Sequence, residues 1–278
     1  KVKTPVKIKS TGKYTLYDYD VYSTTEFNSK LYTFDDKGRF DLEYQILIEQ
    51  HKSNPKNIKY KFYIAQALEK LGRLDDAYYH YKLFLSGIQE PLLSIKKTFA
   101  QESKDVLKQF EKSNKGSVIT KNITPKQLEF LNDMNKSQQQ QLAKLKADVR
   151  AQYQNEEYTS IFRMAEIAKL QNMDSSVFIP LYIKSLEVYP EPRIEPLIRL
   201  ATYYTFEKVK YPIAGMFLDL ALELPYPVKA LDSSINRLHY DYTRYHLDGI
   251  VQYYLAIDER GMANCQKAID FNANLAEH

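Results

Sequence analysis

Glycine is scarce in this chain, with 8 residues in 278, where roughly 7% is ordinary for a globular protein. That scarcity argues against sandwiches, barrels and glycine-rich nucleotide loops, which need tight turns and close backbone approach. One cysteine, Cys265, excludes an internal disulfide framework and a cysteine-built metal cage. There is no tryptophan. No stretch approaches the ~18 consecutive apolar residues that a transmembrane helix needs. Neither sign of charge dominates: 39 Lys+Arg stand against 35 Asp+Glu, so charge gives little reason to expect nucleic acid as a partner. A phosphate-binding Walker loop, a Rossmann fingerprint and a GxSxG elbow are all missing from the sequence.

Helical amphipathicity is what the sequence does have, together with 24 tyrosines. Residues 1–39 read differently from the rest. Val6-Lys7-Ile8-Lys9 and Tyr14-Thr15-Leu16-Tyr17 alternate apolar and polar residues around Thr11-Gly12, a pattern of short paired strands. The N-terminus, Lys1-Val2-Lys3-Thr4-Pro5, has neither an initiator methionine nor the apolar core of a signal peptide, so the chain reads as a piece of something longer. Residues 40–89 hold a first helical hairpin region: a helix closed by Pro55, then helices over 60–72 and 73–85 with Gly72 as the C-cap between them. Residues 90–157 read as a polar insert, with a loop at Lys112–Ser117, a helix start at Pro125 and a long, weakly apolar helix that serves as a spacer or a coiled-coil-like projection. Helical hairpins resume over 158–278.

Ala65, Ala165 and Ala201 occupy equivalent places in these hairpins, each 12 or 13 residues before the inner face of a second helix. A small residue there lets the two helices approach closely. The pattern Ala65, Leu68, Gly72, Leu74, Ala77, Tyr81 resembles the tetratricopeptide repeat. The later copies, Ala165 with Pro190 and Leu197, Ala201, Tyr204, Ala214, Leu218, Ala221, match it with one-residue slips. Phe84 stands where that repeat has a small residue, and its proline is displaced to Pro91. The resemblance implies an all-α, right-handed superhelical stack of antiparallel helix hairpins, with a short β-like or irregular N-terminal segment. Three stretches, Lys59–Leu68, Pro192–Pro227 and Tyr253–Ile269, are also similar to the helical repeats that follow the catalytic domain in some family-2-like glycosyltransferases. That likeness implies that a transferase domain lies upstream, and that residues 1–34 are its tail.

Chemistry-bearing residues are sparse. Asp18-Tyr19-Asp20 is a DxD that a divalent metal and a nucleotide diphosphate could use, but no βαβ unit has room before it, so solvated turn carboxylates are the plainer reading. No histidine pair has metal-ligand spacing. His239 and His246, among Tyr240, Asp241, Tyr242, Arg244, Tyr245 and Asp248, form either a hydrogen-bonded structural cluster or a polar groove. Cys265 reads as a small core residue. Tyr78, Tyr81, Tyr203, Tyr204, Tyr242, Tyr245 and His246 are the candidates for a partner-binding face, because tyrosine buries area at modest entropic cost. The expectation is a non-catalytic scaffold in a reducing, cytoplasmic setting. It has no cofactor and no resident metal, and its partner is another protein or an upstream domain of the same polypeptide. The alternatives are an accessory region of a glycosyltransferase and a structural component of a larger assembly.

Overall fold

A computed structural model describes residues 6–7, 15–16, 36–114, 124–188, 192–227 and 235–276. Among the described residues the chain is all-α apart from one two-residue antiparallel pairing, β1 (Val6–Lys7) with β2 (Thr15–Leu16), which sets Val6 opposite Leu16. The helices are α1 (Asp36–Ser53), α2 (Lys59–Lys70), α3 (Leu74–Asn114), α4 (Pro125–Leu170), α5 (Ser175–Leu186), α6 (Ile194–Thr202), α7 (Tyr211–Glu223), α8 (Arg244–Tyr254) and α9 (Asp258–Ala276). Single π-type turns extend α6 over Tyr203–Glu207 and precede α8 over His239–Thr243. The chain divides into two compact units, Lys1–Pro91 and Leu92–His278. No helix among the described residues is long and apolar enough to cross a membrane.

In the first unit, α2 buries Tyr60, Phe62, Ile64, Ala65, Ala67 and Leu68 against Ile46 and Leu47 of α1 and Ala77, Tyr81, Phe84 and Leu85 of α3. Phe84, unexpected at that place, is fully buried with its ring 5.6 Å from that of Phe62. It fills the space a small residue would have left open.

In the second unit, each helix from α4 to α9 packs on the next one in sequence. A core of Ile194, Leu197, Ile198, Ala201, Ala214, Leu218, Ala221, Tyr240, Leu247 and Val251 joins α6, α7 and α8. The boundaries expected at residues 90 and 157 fall inside α3 and α4. Both helices run on because Lys, Glu and Gln are good helix formers, and Pro91 is accommodated within α3. The expected break at Lys112–Ser117 is corrected in its first half: Lys112, Ser113 and Asn114 are still helical, and the remainder lies outside the described residues. Thr124 and Gln127 then form a reciprocal capping box at the start of α4. From Leu92 onward, α3 offers Leu92, Ile95, Phe99, Ser103, Val106 and Phe110 at alternating three- and four-residue steps, all half-buried. Leu131, Met134, Gln138, Leu142, Leu145 and Val149 of α4 repeat that rhythm. The rings of Phe110 and Phe130 meet edge-on at 6.1 Å, and Gln138 donates to Glu102 at 3.0 Å. The polar stretch is therefore a two-helix arm with a coiled-coil-like seam.

The hairpin turns share one geometry. Gly72, Asn172, Val209 and Ala256 all adopt left-handed backbone, with φ of 74°, 54°, 51° and 57°. The amide that follows reaches back five residues in three of them: Arg73 to the Leu68 carbonyl, Met173 to Ala168 and Ile257 to Gln252. This closure satisfies carbonyls that a helix end otherwise leaves open. A small residue precedes each left-handed residue by seven places, at Ala65, Ala165 and Gly249, and another residue follows by five, at Ala77, Val177 and Gly261. In the α6–α7 hairpin the π turn adds one residue. Ala201 stands eight before Val209, and the closing bond, Lys210 to Tyr204, spans six. That insertion is the physical cause of the one-residue slip in the sequence pattern.

At the α8–α9 crossing the two small residues are glycines. A Cβ on Gly249 would lie 2.4 Å from the Cys265 Sγ, and one on Gly261 would lie 3.2 Å from the Gln252 Cβ. The expectation of a core Cys265 is corrected: the residue is exposed, on the flank of α9, with its sulfur turned onto Gly249. Gly249→Ala should therefore destabilise the chain by about 1–3 kcal/mol, and adding Cys265→Ala should recover most of that loss in a double-mutant cycle by urea denaturation. Val209 has the opposite sign. A β-branched residue in left-handed backbone costs about 1–2 kcal/mol, and its side chain is exposed. Val209→Gly should raise stability by roughly 0.5–1 kcal/mol after glycine's own entropic cost is subtracted, read as an upward shift of the urea midpoint at unchanged slope.

Candidate functional site

Two buried ionic networks and one groove carry the charged chemistry of the second unit. The first network joins α4, α5 and α6. Glu166 of α4 accepts from the Tyr182 hydroxyl of α5 and pairs with Arg199 of α6 at 2.9 Å. Arg193 and Glu195, both almost fully buried, pair at 3.3 Å at the start of α6, and the Arg193 guanidinium lies 4.1 Å from the Tyr158 ring centre. Burial, reinforced by Glu166, pushes the Tyr182 hydroxyl far above its ordinary range, so it stays protonated and donates. The second network joins α7, α8 and α9 around Asp248, which has no exposed surface. Its carboxylate accepts two bonds from Arg260 at 2.7 and 2.9 Å, one from Asn264 at 2.6 Å and one from Gln252 at 2.9 Å. Arg260 also pairs with Asp219 of α7 at 2.6 Å. All four acceptor sites of this carboxylate are used, and removing one partner of such a pair leaves a costly buried charge. These networks hold helices in register.

The groove lies where the π turn His239–Thr243 and α8 meet α9. It has a volume of about 440 Å³ and is lined by Arg237, Tyr240, Asp241, Arg244, Tyr245, Lys267, Asp270 and Phe271. Arg237 ties up Asp241 at 2.9 Å, and Gln266 bonds Asp270 at 2.7 Å. Arg244 caps α7, donating to the carbonyls of Ala221 and Leu224 at 3.0 and 2.8 Å, and its second amino group reaches the Tyr245 hydroxyl. The Arg244 guanidinium and the Lys267 ammonium lie 4.9 and 5.0 Å from the Tyr245 ring centre. Neither cation has a carboxylate partner among the described residues. Burial pushes the Tyr240 hydroxyl up to about 12, with Glu195 reinforcing the shift, so it remains a neutral hydrogen-bonding group. The groove thus combines three rings with two cations that have no carboxylate partner among the described residues. A second cleft of about 400 Å³ opens on the α3–α4 arm beside Phe99, Phe130 and Met134, rimmed by Glu102 and Asp133.

The residues singled out from sequence separate on this frame. Tyr81 and Tyr203 are corrected: both are core residues, with Tyr81 donating to Glu69 at 3.0 Å and Tyr203 meeting Phe178 edge-on at 5.2 Å, so neither is open to a partner. Tyr78 and Tyr204 are half-buried, and Tyr204 stacks on Phe217 of α7. Tyr245 lines the groove. Tyr242 stands beside it, between the exposed His246 at 5.3 Å and Phe271 at 6.0 Å. Asp18 and Asp20 lie outside the described residues, and no group of three metal-ligating side chains forms among those that are described. Sequence reading missed Arg260, Glu195 and Lys267, and it placed Asp248 in a polar cluster without its partners on α9. A signal existed for Asp248, which sits next to the small residue of its hairpin where the others carry Ile64, Met164 and Leu200.

No protein-family model matches the chain, and no curated protein does. One solved structure, BtubC (BKLC) from P. vanneervenii, is similar at 12% identity and a TM-score of 0.41, with 87% of this chain and 92% of that one covered. At that level the likeness carries no argument about function, which rests on this chain's own geometry.

Three histidines give the protein a pH dependence. Burial lowers His239, with Arg199 adding to the effect and Glu195 and Glu166 opposing it; its Nδ1 lies 3.2 Å from the Thr243 hydroxyl. Burial likewise lowers His51, with Lys61 adding to it, and His80, against the pull of Asp76. Each is protonated more readily in the unfolded chain than in the folded one. Stability should therefore rise with pH up to about 6.5 and be lost progressively below that value. Thermal midpoints taken from pH 7.5 to 5 should fall, and the fall should be smaller in His239→Gln and in His80→Gln.

Proposed function

We propose that this chain is a non-catalytic interaction scaffold that captures an extended, acidic segment of another protein, or of an upstream domain of its own polypeptide, in the α8–α9 groove. The hairpins α4–α5, α6–α7 and α8–α9 stack as a right-handed superhelix of tetratricopeptide-like repeats, with the groove on the last of them. Recurrence of the left-handed turn at a fixed offset from a small residue supports that stacking, since equal hairpins related by equal steps generate a superhelix.

One observation carries the binding reading: Arg244 and Lys267 converge on the Tyr245 ring with no carboxylate partner among the described residues. A peptide carboxylate entering there gains a charge-assisted bond, while an aromatic or aliphatic neighbour of that carboxylate buries against the half-exposed rings of Tyr245 and Phe271. Aromatic and arginine anchors of this kind dominate interface energies. Steering by the cations raises the association rate and makes binding sensitive to salt.

The test is selection from a displayed peptide library on the full chain. Enrichment of Asp or Glu next to an aromatic or leucine is expected. Lys267→Glu and Tyr245→Ala should each weaken the selected peptides at least tenfold with the circular dichroism spectrum unchanged, while Lys267→Arg should preserve binding. Absence of acidic enrichment, or affinity unmoved in Lys267→Glu, would refute the reading.

A further inference from the structure

The left-handed turns of the second unit form a continuous apolar edge, separate from the groove. Leu170, Phe206, Val209, Tyr253, Tyr254 and Ile257 sit at or beside these turns, each between 49% and 73% exposed. Two contacts join the turns side by side. Lys169 of the first pairs with Glu207 of the second, and Tyr211 beyond the second stacks on Tyr254 of the third at 4.3 Å with planes 6° apart. Singly exposed apolar residues are ordinary, but six of them along one edge are not. Together they leave on the order of 700 Å² open, close to the ~800 Å² per partner that a stable interface covers.

Backbone conformation at the same edge adds to this exposure. Val209 and Ala256 hold left-handed backbone at φ 51° and 57°, where glycine would be more stable. Val209 turns its side chain to solvent in doing so. The closing bond from the Lys210 amide to the Tyr204 carbonyl holds this turn, and the Val209 side chain that it leaves outside adds to the apolar edge.

Charge along the edge decides what covers it. Lys208 and Lys210 flank Val209 at the second turn, and Glu259 follows Ile257 at the third; all three are exposed. An anionic membrane would meet Glu207 and Glu259 as well as the lysines, so a uniformly charged surface is a poor match. A second copy of this chain is a good one. In an isologous pair with a twofold axis between the second and third turns, Lys208 and Lys210 of each copy would face Glu259 of the other, each contact being made twice.

We propose that this turn edge is a homodimer interface, in which Phe206, Val209, Tyr253 and Tyr254 of two copies pack together and Lys208 and Lys210 pair with Glu259 across the twofold axis. Sedimentation velocity of the full chain from about 1 to 200 µM should show a monomer–dimer equilibrium. Phe206→Glu or Tyr253→Glu should leave it monomeric over that range. Lys208→Glu and Glu259→Lys should each weaken dimerisation about tenfold, and the double variant should recover to within threefold of the unaltered chain. A concentration-independent monomer would overturn the proposal, and so would a dimer unmoved by Phe206→Glu or a charge-swapped double variant no better than the singles. A monomer that co-sediments with anionic vesicles would overturn it in favour of a membrane surface. None of these variants touches Tyr245 or Lys267, so the peptide-capture reading stands or falls independently.

Discussion

Close approach of paired helix backbones is the constraint on which the rest of this structure depends. A helix can come near its partner only where side chains are small, and Ala65, Ala165, Ala201 and Gly249 supply that place on the first helix of four hairpins. The left-handed residue that ends the helix then fixes where the chain turns, so the second helix returns in register with the small residue. The α6–α7 hairpin shows how firmly the two are linked. One extra residue enters as a π turn, the closing hydrogen bond lengthens by one residue, and Ala201 still reaches the core opposite the fully buried Ala214.

Around those crossings, large side chains and charges divide the remaining work. Tyrosine and phenylalanine rings hand contact from helix to helix: Phe162 to Tyr182, Phe178 to Tyr203, Tyr204 to Phe217, Tyr211 to Tyr254 and Tyr242 to Phe271. Apolar packing alone tolerates sliding, whereas hydrogen-bonded charges do not. Glu166 with Tyr182 and Arg199, and Arg260 with Asp248 and Asp219, each fix three consecutive helices in one arrangement. Saturation of these carboxylates is also why the charged residues in the core read as structural. Arg244 and Lys267, which have no carboxylate partner among the described residues, lie at the groove instead.

Most helix positions were legible in the sequence because an amphipathic stripe and a proline or glycine boundary are local signals. Gly72, Pro125 and the alanines on the inner helix faces are examples. Over 90–157 the helix ends were not legible, because a polar sequence looks like an insert whether or not a second helix lies beside it, although the boundary expected at residue 90 lies beside the division between Pro91 and Leu92. Turn geometry was half legible. Gly72 announces left-handed backbone, while Val209 and Ala256 conceal it, since neither favours that conformation by itself.

Among the tyrosines the division is sharper. Helical period places Tyr78 and Tyr81 on one face and Tyr79 on another, but period alone does not say which face is wet; the structure buries Tyr81 and exposes Tyr79. Sequence by itself determined that this chain is helical and hairpin-paired, because those properties follow from spacing along the backbone. Tertiary structure alone decided which rings face solvent, that Asp248 meets Arg260 and that Lys267 lies over Tyr245, because burial and charge partnership depend on residues distant in the chain that meet only after the helices pack.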